Sequence, residues 1–267
     1  MSTQLLTAQA MEEQISRRLA QSVRLSWTEE TDSTNDDAKR AALAGTPAVA
    51  IFGAERQHSG RGRLERHWQT GGGASVEMSF LFRPHLSPAD LPAINFAVAL
   101  GVCAGLEAVS GVQAEVKWPN DVLVDGAKIC GILSESSLAG GQVEYVVTGA
   151  GINVNQAHFS DDLPGAASLR MLIGRPLSRA EVAAACIDAV LDRVRKLEEG
   201  GWERILDEYR RRSAVLGRQV EIVDRDGILR GRCIDFETDG AIVVDMGHER
   251  RRFYATDVSL RGAGLHV

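Results

Sequence analysis

The chain has 267 residues, 44% of them hydrophobic and 25% charged, which is typical of a globular protein with one large domain and a small one. Its formal net charge is -6, whereas non-specific binding of nucleic acid normally requires a surplus of basic residues. The four cysteines are scattered and include no Cys-x-x-Cys pair, which argues against a zinc site and a disulfide framework and fits a reducing compartment.

The first third of the chain is predicted to begin with a short amphipathic helix. Leu5, Met11, Ile15 and Leu19 carry its apolar face, and the segment has neither the apolar run nor the cleavage site of an export signal. The elements predicted next are a strand at residues 23–30, a helix at 32–45, and strands at 48–54 and 75–82. A loop rich in glycine and arginine, HSGRGRLERHW at residues 58–68, joins the last two strands.

The middle of the chain is predicted to contain a long, largely buried helix at residues 87–109. Its apolar run is expected to be too short to span a bilayer, so we expect a soluble cytoplasmic protein. Three strand-like segments follow at residues 114–118, 121–136 and 143–154, separated by turns. Two helices are then predicted between residues 179 and 212, with a break at Gly200 and Gly201.

The end of the chain has a different pattern of short strands and Asp-Gly turns. The strands are predicted at residues 218–223, 228–236, 241–246 and 251–255, a spacing typical of a small β-barrel. Strands with helices packed against them predict an α+β fold with a mixed sheet. We therefore expect two domains, residues 1–212 and residues 213–267.

Two polar motifs each allow a structural and a functional interpretation. DSTN at residues 32–35 contains residue types favoured at a helix N-cap, but its hydroxyl and amide groups could also bind a neutral polar head such as a urea. In KWPND at residues 117–121, Pro119 forces a turn that presents Asn120 and Asp121 at a defined angle. Asn120 could pair with a purine edge, and a carboxylate beside a lysine suits a metal-nucleotide site, whereas Trp118 is expected in the core.

Three further features remain ambiguous when each is taken alone. Lys128 would either cap a strand end in water or, if it faces a cleft, orient a ligand carboxylate. Gly149 and Gly151 allow backbone to approach a ligand closely, but no dinucleotide or Walker fingerprint is present. Ordering the arginines of the GRGR loop costs conformational entropy, so the loop is either a solvated turn or a segment that orders around an anion.

In combination these motifs are far more specific. DSTN, ERQHSGRGR, Trp68, KWPND, DGAKICGIL and GAGINVN occur in an order that resembles the biotin protein ligase family, and the resemblance runs from about Leu25 to Arg261. It implies the class II synthetase-like catalytic fold of biotin and lipoate ligases, followed by a small SH3-like barrel. Only about thirty residues precede the match, too few for a DNA-binding winged helix, so we expect the monofunctional type.

The resemblance also implies the reaction and its partners. Biotin and MgATP would give biotinyl-5'-AMP and pyrophosphate, and a lysine of a biotin carboxyl carrier domain, of acetyl-CoA carboxylase or a related carboxylase, would then expel AMP. ATP and Mg²⁺ are thus the expected cofactors, and binding to DNA or to a membrane is not expected. We expect a monomer or a weak homodimer.

The resemblance further assigns roles to individual residues. The expected catalytic residues are Arg63, Lys117, Asp121 and Lys128, of which Asp121 would also meet Mg²⁺. The expected biotin-binding residues are Ser33, Thr34, Asn35, Gln57, Arg61, Gly62, Arg63, Lys128, Gly131, Gly149 and Gly151. The expected ATP-binding residues are Arg61, Arg63, Trp68, Lys117, Asn120 and Asn153.

Two positions depart from the family pattern, and two rival functions share part of it. Ser75 replaces a common asparagine and Glu77 replaces a more apolar residue, so loop packing or affinity is expected to change. A lipoate ligase or octanoyl transferase would share the fold, but DSTN with Gln57 favours biotin. A non-catalytic biotin sensor would not need Lys128, Asp121 and both loop arginines.

Overall fold

A seven-stranded mixed sheet forms the centre of the computed structural model, which describes residues 7–64, 67–69, 72–163, 165–223, 227–255 and 259–262. The strands lie in the order β1-β2-β3-β7-β6-β5-β4. Only the β1–β2 pair is parallel among the described neighbours, which confirms an α+β fold with a mixed sheet. The strands are β1 (Arg24–Thr31), β2 (Ala50–Gln57), β3 (Ser75–Phe82), β4 (Ala114–Lys117), β5 (Asp121–Val124), β6 (Ala127–Ala139) and β7 (Gln142–Asn153).

One face of this sheet is covered by a layer of helices. The layer contains α1 (Ala8–Ser16), α3 (Leu91–Ser110), α5 (Arg179–Glu198) and α6 (Trp202–Arg211). Phe80 and Met78 of β3 point into this layer, where they share one core with apolar residues of α3 and α5. The nearly continuous apolar sequence of α3 follows from its position between the sheet and its neighbouring helices.

The opposite face is covered at one end only. There α2 (Thr34–Leu43) packs Ala38 and Ala42 against a small apolar cluster that includes Leu81 and Val147. The helix is short, so it leaves the same face of β7, β6 and β5 uncovered beside it. This uncovered area becomes the cleft described below.

The length argument used to exclude a membrane span was wrong. Within the described residues one helix, Pro88–Ser110, which consists of a 3-10 turn at Pro88–Asp90 followed by α3, is long and apolar enough to cross a bilayer by length and composition. Its most apolar window is 67% buried inside the protein. Burial, and not length, therefore identifies it as a core helix.

Two helices differ from the sequence-based expectation. Met11 and Ile15 of α1 are buried as predicted, but the helix ends before Leu19, and Leu5 lies outside the described residues. A short helix, α4 (Leu169–Ile173), was not predicted. It is only five residues long and begins at Ser168, whose hydroxyl accepts a hydrogen bond from the Met171 N–H.

A second, five-stranded antiparallel sheet follows α6. Its order is β11-β10-β9-β8-β12, and it contains the four predicted strands plus one that was not predicted. Asp226 of one predicted Asp-Gly turn lies outside the described residues. The strands are β8 (Gln219–Val223), β9 (Ile228–Phe236), β10 (Ile242–Asp245), β11 (Arg250–Phe253) and β12 (Ser259–Gly262).

The small sheet is seated against the turn between β4 and β5. The Trp118 indole N–H donates to the Gly240 carbonyl at 3.0 Å, and Trp118 is buried, as expected for a core residue. The Phe236 ring of β9 meets Tyr209 and Phe96 with ring centroids 5.2 and 6.5 Å apart. These contacts bring the small sheet to the edge of the open cleft.

Candidate active site

A row of paired residues crosses the open face of the sheet from β3 to β4. Glu77 pairs with Gly151, Gly151 with Gly131, Gly131 with Asp121, and Asp121 with Lys117. Residues paired across strands project to the same face, so two glycines lie between Glu77 on one side and Asp121 with Lys117 on the other. The row forms the floor of a cleft of about 390 Å³, a volume suited to a small molecule.

Trp68 lies directly above the two glycines. A Cβ atom on Gly151 would come within 2.4 Å of Trp68 Cε2, and a Cβ atom on Gly131 within 2.8 Å of Trp68 Cζ3. Both separations are shorter than any real carbon–carbon contact, so only glycine admits the indole here. The Trp68 backbone N–H donates to the Gly60 carbonyl at 2.9 Å, which fastens the end of the GRGR loop to its beginning.

A directional chain of hydrogen bonds forms the end of the cleft next to α2. The Thr34 backbone N–H donates to Gln57 Oε1 at 2.8 Å, and the Thr34 and Ser79 hydroxyl oxygens are 2.7 Å apart. Ser79 Oγ donates to Asn35 Oδ1 at 2.6 Å, so the Thr34 hydroxyl donates its one hydrogen to Ser79 and not to Gln57 Oε1, which lies farther away at 3.1 Å. Asn35 Nδ2 then donates to Glu135 Oε2 at 2.8 Å.

DSTN therefore does more than start a helix. Ser33 occupies the N-cap position of α2, but its side chain makes no capping hydrogen bond. Ser33, Thr34 and Asn35 are buried, and all three line the cleft. The motif thus starts the helix and also faces the cleft, as its functional interpretation requires.

Glu135 joins the polar end of the cleft to the GRGR loop. Its carboxylate accepts from Lys39 Nζ at 2.8 Å and lies 3.4 Å from Arg61 Nη2. Arg61 also pairs with Asp36 at 2.6 Å, and these contacts lower the pKa of the Asp36 and Glu135 carboxyl groups. Arg61 therefore already has anionic partners within the protein, because the first turn of α2 supplies Asp36 and β6 supplies Glu135.

Arg63 spans from the cleft to the small sheet. Its Nη1 donates to Asn120 Oδ1 at 3.5 Å, and its Nη2 donates to the backbone carbonyl of Ala255. Asn120 Nδ2 in turn donates to the Ile132 carbonyl of β6 at 2.9 Å. The second loop arginine thus links the KWPND turn to the C-terminal segment.

Lys128 and Asp121 form an ion pair at the edge of the glycine floor. Lys128 Nζ is 2.6 Å from Asp121 Oδ1, and the same ammonium lies 5.8 Å from the centroid of the Trp68 ring. The Asp121 side chain is 14% exposed and the Lys128 side chain 27%, so the cation faces the cleft from a partly buried position. Of the two interpretations of Lys128, the structure supports the one that faces a cleft.

The loop between β7 and α4 closes the remaining side. The Lys128 N–H donates to the Gly165 carbonyl at 2.7 Å, and the Ala167 N–H donates to the Lys128 carbonyl at 3.0 Å, which fixes the loop to the start of β6. Asn153, at the end of β7, is buried, and its Oδ1 accepts from Gln156 Nε2 at 3.1 Å. Phe159 and Asp162 of the loop line the cleft, as does Leu260 of the small sheet.

Glu77 is a fully buried carboxyl group at the polar end of the floor. Burial raises its pKa from 4.5 to about 7, while hydrogen bonds from Ser75, Trp68 and Gln57 act in the opposite direction. Ser75 Oγ donates to Oε1 at 2.7 Å and Gln57 Nε2 donates to Oε2 at 2.8 Å. The Trp68 indole N–H approaches the carboxyl without reaching good hydrogen-bond geometry.

Similarity to known proteins agrees with this architecture. Residues 27–153 match the Biotin/lipoate A/B protein ligase family. A bifunctional ligase/repressor BirA of Bacillus spizizenii is 30% identical over 233 residues, which cover 85% of this chain and 71% of that protein. A biotin–acetyl-CoA-carboxylase ligase of Paracoccus denitrificans is 30% identical over 242 residues, which cover 87% of this chain and 98% of that protein. The chain belongs to the biotin/lipoate A/B protein ligase family.

A solved member of the family has the same fold. The structure of the biotin protein ligase from Aquifex aeolicus in complex with biotin and ATP superposes with a TM-score of 0.77 at 26% identity. The match covers 89% of this chain and 98% of that one. The resemblance inferred from the motifs is thereby confirmed.

The structure brings every residue predicted from the ligase family pattern to one cleft, although their individual roles remain predictions. The lining residues that were predicted are Ser33, Thr34, Asn35, Gln57, Arg61, Gly62, Arg63, Trp68, Lys117, Asn120, Asp121, Lys128, Gly131, Gly149, Gly151 and Asn153.

Four residues that support or line the cleft were not predicted from the sequence. Glu135 could have been found, because it alternates with Gly131 and Leu133 along β6 and so shares their face. Ser79 could have been found in the same way from Glu77 on β3. Phe159 and Leu260 carried no such signal, since their positions depend on a loop and on the docking of the small sheet.

The donor set fits an ion that arrives with a nucleotide better than a resident metal. Within the described part of the chain, no three His, Cys, Asp or Glu side chains are grouped so that they could hold a metal ion. Asp121 offers one carboxylate, already paired with Lys128. Mg²⁺ commonly binds through one or two carboxylates together with substrate phosphates, and Asp121 is suited to that arrangement.

Proposed function

We infer that the chain is an ATP-dependent biotin–protein ligase. It converts biotin and MgATP to biotinyl-5'-AMP and pyrophosphate, and then transfers biotin to a lysine of a carrier domain. The observation that carries this inference is one continuous cleft, in which a polar end suited to a urea group leads over a glycine floor to Lys128 and the loop arginines.

The polar end is complementary to the ureido ring of biotin. A urea group presents one carbonyl acceptor and two N–H donors, so its site must both donate and accept. Thr34, Asn35 and Gln57 provide hydroxyl and amide groups in fixed orientations, because each is already hydrogen-bonded to a neighbour. Ser33 lies beside them, and Gly149 lets Asn35 approach the sheet, since a Cβ there would be 2.3 Å from Asn35 Oδ1.

Lys128 is the residue that we assign to the carboxylate of biotin. A carboxylate oxygen attacks the α-phosphorus of ATP, a new oxygen–phosphorus bond forms, and pyrophosphate leaves. A fixed cation beside that oxygen stabilises the negative charge that develops, which is usually a large contribution to catalysis. Lys117 and Arg63 face the same region and are assigned to the phosphates, Asp121 to the Mg²⁺ that accompanies ATP, and Trp68, Asn120 and Asn153 to the adenine.

The GRGR loop is assigned to closing the site. Arg61 and Arg63 hold protein partners that a substrate anion would compete for, namely Asp36, Glu135 and the Ala255 carbonyl. Exchange of these partners for the carboxyl and phosphate oxygens would draw the loop over the mixed anhydride and keep water away from it.

Transfer completes the reaction. The amine of the carrier lysine, in its deprotonated form, attacks the acyl carbon of biotinyl-5'-AMP; an amide bond forms and AMP leaves with the electrons of the broken bond. The relatives' names point to the carboxyl carrier of acetyl-CoA carboxylase as the acceptor. We propose a cytoplasmic enzyme, monomeric or weakly dimeric, that binds neither DNA nor membrane.

The small sheet is proposed to be a separate SH3-like barrel domain, residues 213–267, attached to a catalytic domain of residues 1–212. Five short antiparallel strands in meander-like order support this assignment. The backbone at the proposed boundary adds to the edge of the large sheet, where the Ala214 N–H donates to the Val116 carbonyl at 2.9 Å.

Intact mass spectrometry of a carrier domain incubated with the protein, biotin and MgATP tests the function. We expect the mass of one biotinyl group on one lysine, and no gain without ATP. ATP–pyrophosphate exchange with biotin or lipoate as the acid distinguishes the rivals. Exchange driven by lipoate alone would identify a lipoate ligase, and biotin binding without exchange would identify a sensor.

A further inference from the structure

Glu77 is placed where it can control the orientation of the Gln57 amide. The Glu77 side chain is 1% exposed, lies on the cleft face of β3, and accepts hydrogen bonds through both oxygens. Ser75 Oγ occupies Oε1 and Gln57 Nε2 occupies Oε2. Ser75 and Glu77 are the two positions at which the sequence departs from the family pattern, and a hydrogen bond joins them in the structure.

The direction of each hydrogen bond follows from the donors involved. A backbone N–H can only donate, so the Thr34 N–H requires the oxygen of the Gln57 amide to face α2. The nitrogen of that amide must then face β3, where the Glu77 carboxyl accepts through Oε2. An amide is nearly symmetric in shape, so its hydrogen-bond partners, and not packing, decide which way it points.

We propose that Glu77 is a positioning residue that fixes the Gln57 amide for recognition of the ureido ring of biotin. The inference rests on the proposed function and deepens it by naming a determinant of biotin specificity outside the motif residues. Glu77 acts through Gln57, and it takes no part in the attack on ATP.

The surroundings of Glu77 make its acceptor role specific. The charged groups nearest in the row, Asp121 and Lys117, lie beyond two glycines, while Glu55 behind the sheet is paired with Arg179 at 2.7 Å. The pKa of Glu77 accordingly reflects burial and its own hydrogen-bond donors. An apolar side chain at this position would remove the acceptor for Gln57 Nε2 and leave the amide held on its oxygen side, by the Thr34 N–H, so its orientation would be less firmly fixed.

The test uses three variants of the full chain and measures biotin affinity by calorimetry. Glu77→Met keeps the length of the side chain but has no strong acceptor, whereas Glu77→Gln keeps an acceptor oxygen and Gln57→Ala removes the oriented amide. Loss of a hydrogen bond to a charged group corresponds to roughly 10- to 100-fold in affinity. We expect a biotin Kd raised by that factor in Glu77→Met and in Gln57→Ala, and within roughly threefold of the parent in Glu77→Gln.

The double variant decides whether Glu77 acts through Gln57. If it does, Glu77→Met combined with Gln57→Ala binds biotin no more weakly than Gln57→Ala alone, because coupled residues do not add. The KM for ATP and the kcat with saturating biotin stay near the parent values in Glu77→Met. Circular dichroism checks folding, and Glu77→Ala replaces Glu77→Met if the latter does not fold.

Two results would overturn the inference. Additive losses in the double variant would show that Glu77 has a general structural effect, and an unchanged biotin Kd in folded Glu77→Met would show that the amide needs no such partner. Either result leaves the proposed function standing as long as the parent binds biotin. A parent that binds no biotin overturns the proposed function and this inference together.

Discussion

The two ends of the cleft are built in different ways. At the α2 end, a chain of hydrogen bonds runs from Glu77 through Gln57, Thr34, Ser79 and Asn35 to Glu135, and each link except the one from the Thr34 backbone N–H to Gln57 joins two side chains. At the opposite end, loops and a second sheet meet, and some of the side chains are held by backbone carbonyls. Arg63 donates to the Ala255 carbonyl, and Asn120 to the Ile132 carbonyl.

This difference determines how each end responds to substitution. A side-chain partner exists only as long as its residue type is kept, so the geometry of the α2 end is encoded in about six residue identities. A backbone carbonyl is offered by any residue, so the nucleotide end depends on the path of the chain more than on its sequence. Changes at the α2 end should therefore alter biotin affinity selectively, and changes at the junction should alter chemistry.

The largest effect is expected at the junction of the two ends, where Lys128 faces the cleft. Lys128→Ala removes the cation that stabilises the developing negative charge, which should cost about 2.7–4 kcal/mol of transition-state stabilisation. The rate of biotin-dependent ATP–pyrophosphate exchange should therefore fall roughly 100- to 1,000-fold. Lys196→Ala is the matched control, because this exposed lysine of α5 pairs only with Asp192 among the described contacts. Near-parental exchange by a folded Lys128→Ala variant would remove Lys128 from the mechanism.

Glu77 and Glu135, the carboxyl groups at the two ends of the hydrogen-bonded chain, have pKa values shifted in opposite directions. Burial in the folded state raises the pKa of Glu77 from 4.5 to about 7, so the folded protein binds a proton at Glu77 more tightly than the unfolded protein does. The free energy of unfolding should therefore fall as the pH rises from about 5 to about 7, by about 3 kcal/mol in total, and level off above that range. Glu135, whose pKa is lowered, has the opposite sign: its contribution is lost as the pH falls through the lowered value.

Urea unfolding of the parent and of Glu77→Gln at pH 5, 6, 7 and 8 measures this effect. The difference in unfolding free energy between the two proteins should change across this range, in favour of the variant at high pH. A difference that is the same at all four pH values would mean that Glu77 is ionised throughout and that the buried carboxyl has an ordinary pKa.

A third prediction addresses the floor that the two ends share. Gly151→Ala places a Cβ atom where Trp68 now lies, 2.4 Å from Cε2, so the indole must move. Displacements of about 1 Å in a binding site can cost roughly 100-fold in activity, and we expect a loss of that order in biotin-dependent exchange. Gly140→Asn is the control, since no atom lies within 4 Å of a Cβ there and asparagine tolerates its φ of +58°.

Tryptophan fluorescence makes this third experiment specific. The chain has four tryptophans, so the difference spectrum between parent and variant is measured, and it should show a change in Gly151→Ala and none in Gly140→Asn. A normal spectrum combined with normal exchange in Gly151→Ala would show that the cleft accommodates the extra methyl group without moving the ring.

The contrast between the two ends also explains what could be predicted from the sequence. The strands of both sheets followed from hydrophobic pattern and turn residues, since both signals are local. The cleft residues were found because several short motifs occur in one order, and the sheet brings those motifs to one face. Helix α4 was missed because five residues are too few to show a helical period, and β12 was missed because no glycine-containing turn precedes it, unlike the equally short β10 and β11.

The partners of the site residues were harder to predict than the residues themselves. The composition of the GRGR loop is typical of a segment that orders around a bound anion. In the structure, however, Arg61 already pairs with Asp36 in the first turn of α2. Glu77 could be identified as a departure, but its effect on Gln57 depends on β2 and β3 being adjacent in a particular register. Such contacts arise from pairing between strands, which one sequence does not reveal.

The smallest effect is expected where the polar end meets the loop. Glu135→Gln keeps one acceptor oxygen for Asn35 but replaces the other with an amide that repels the Lys39 ammonium, and it removes the charge near Arg61. Asp36 still pairs with Arg61 and Lys39, at 2.6 and 2.9 Å, so the loop keeps a partner. Partly exposed ion pairs contribute about 0.2–1 kcal/mol, and we therefore expect a biotin Kd raised by roughly two- to fivefold with kcat unchanged.

Salt dependence distinguishes this contribution from a packing effect. The loss in Glu135→Gln should shrink between 50 mM and 500 mM salt, because screening weakens the parent's ion pairs as well. Glu144→Gln is the matched control: this exposed carboxylate of β7 accepts from Ser137 and does not line the cleft. A loss that is independent of salt, or one that appears in the KM for ATP and not in biotin affinity, would place Glu135 with the nucleotide end and break the division between the two ends.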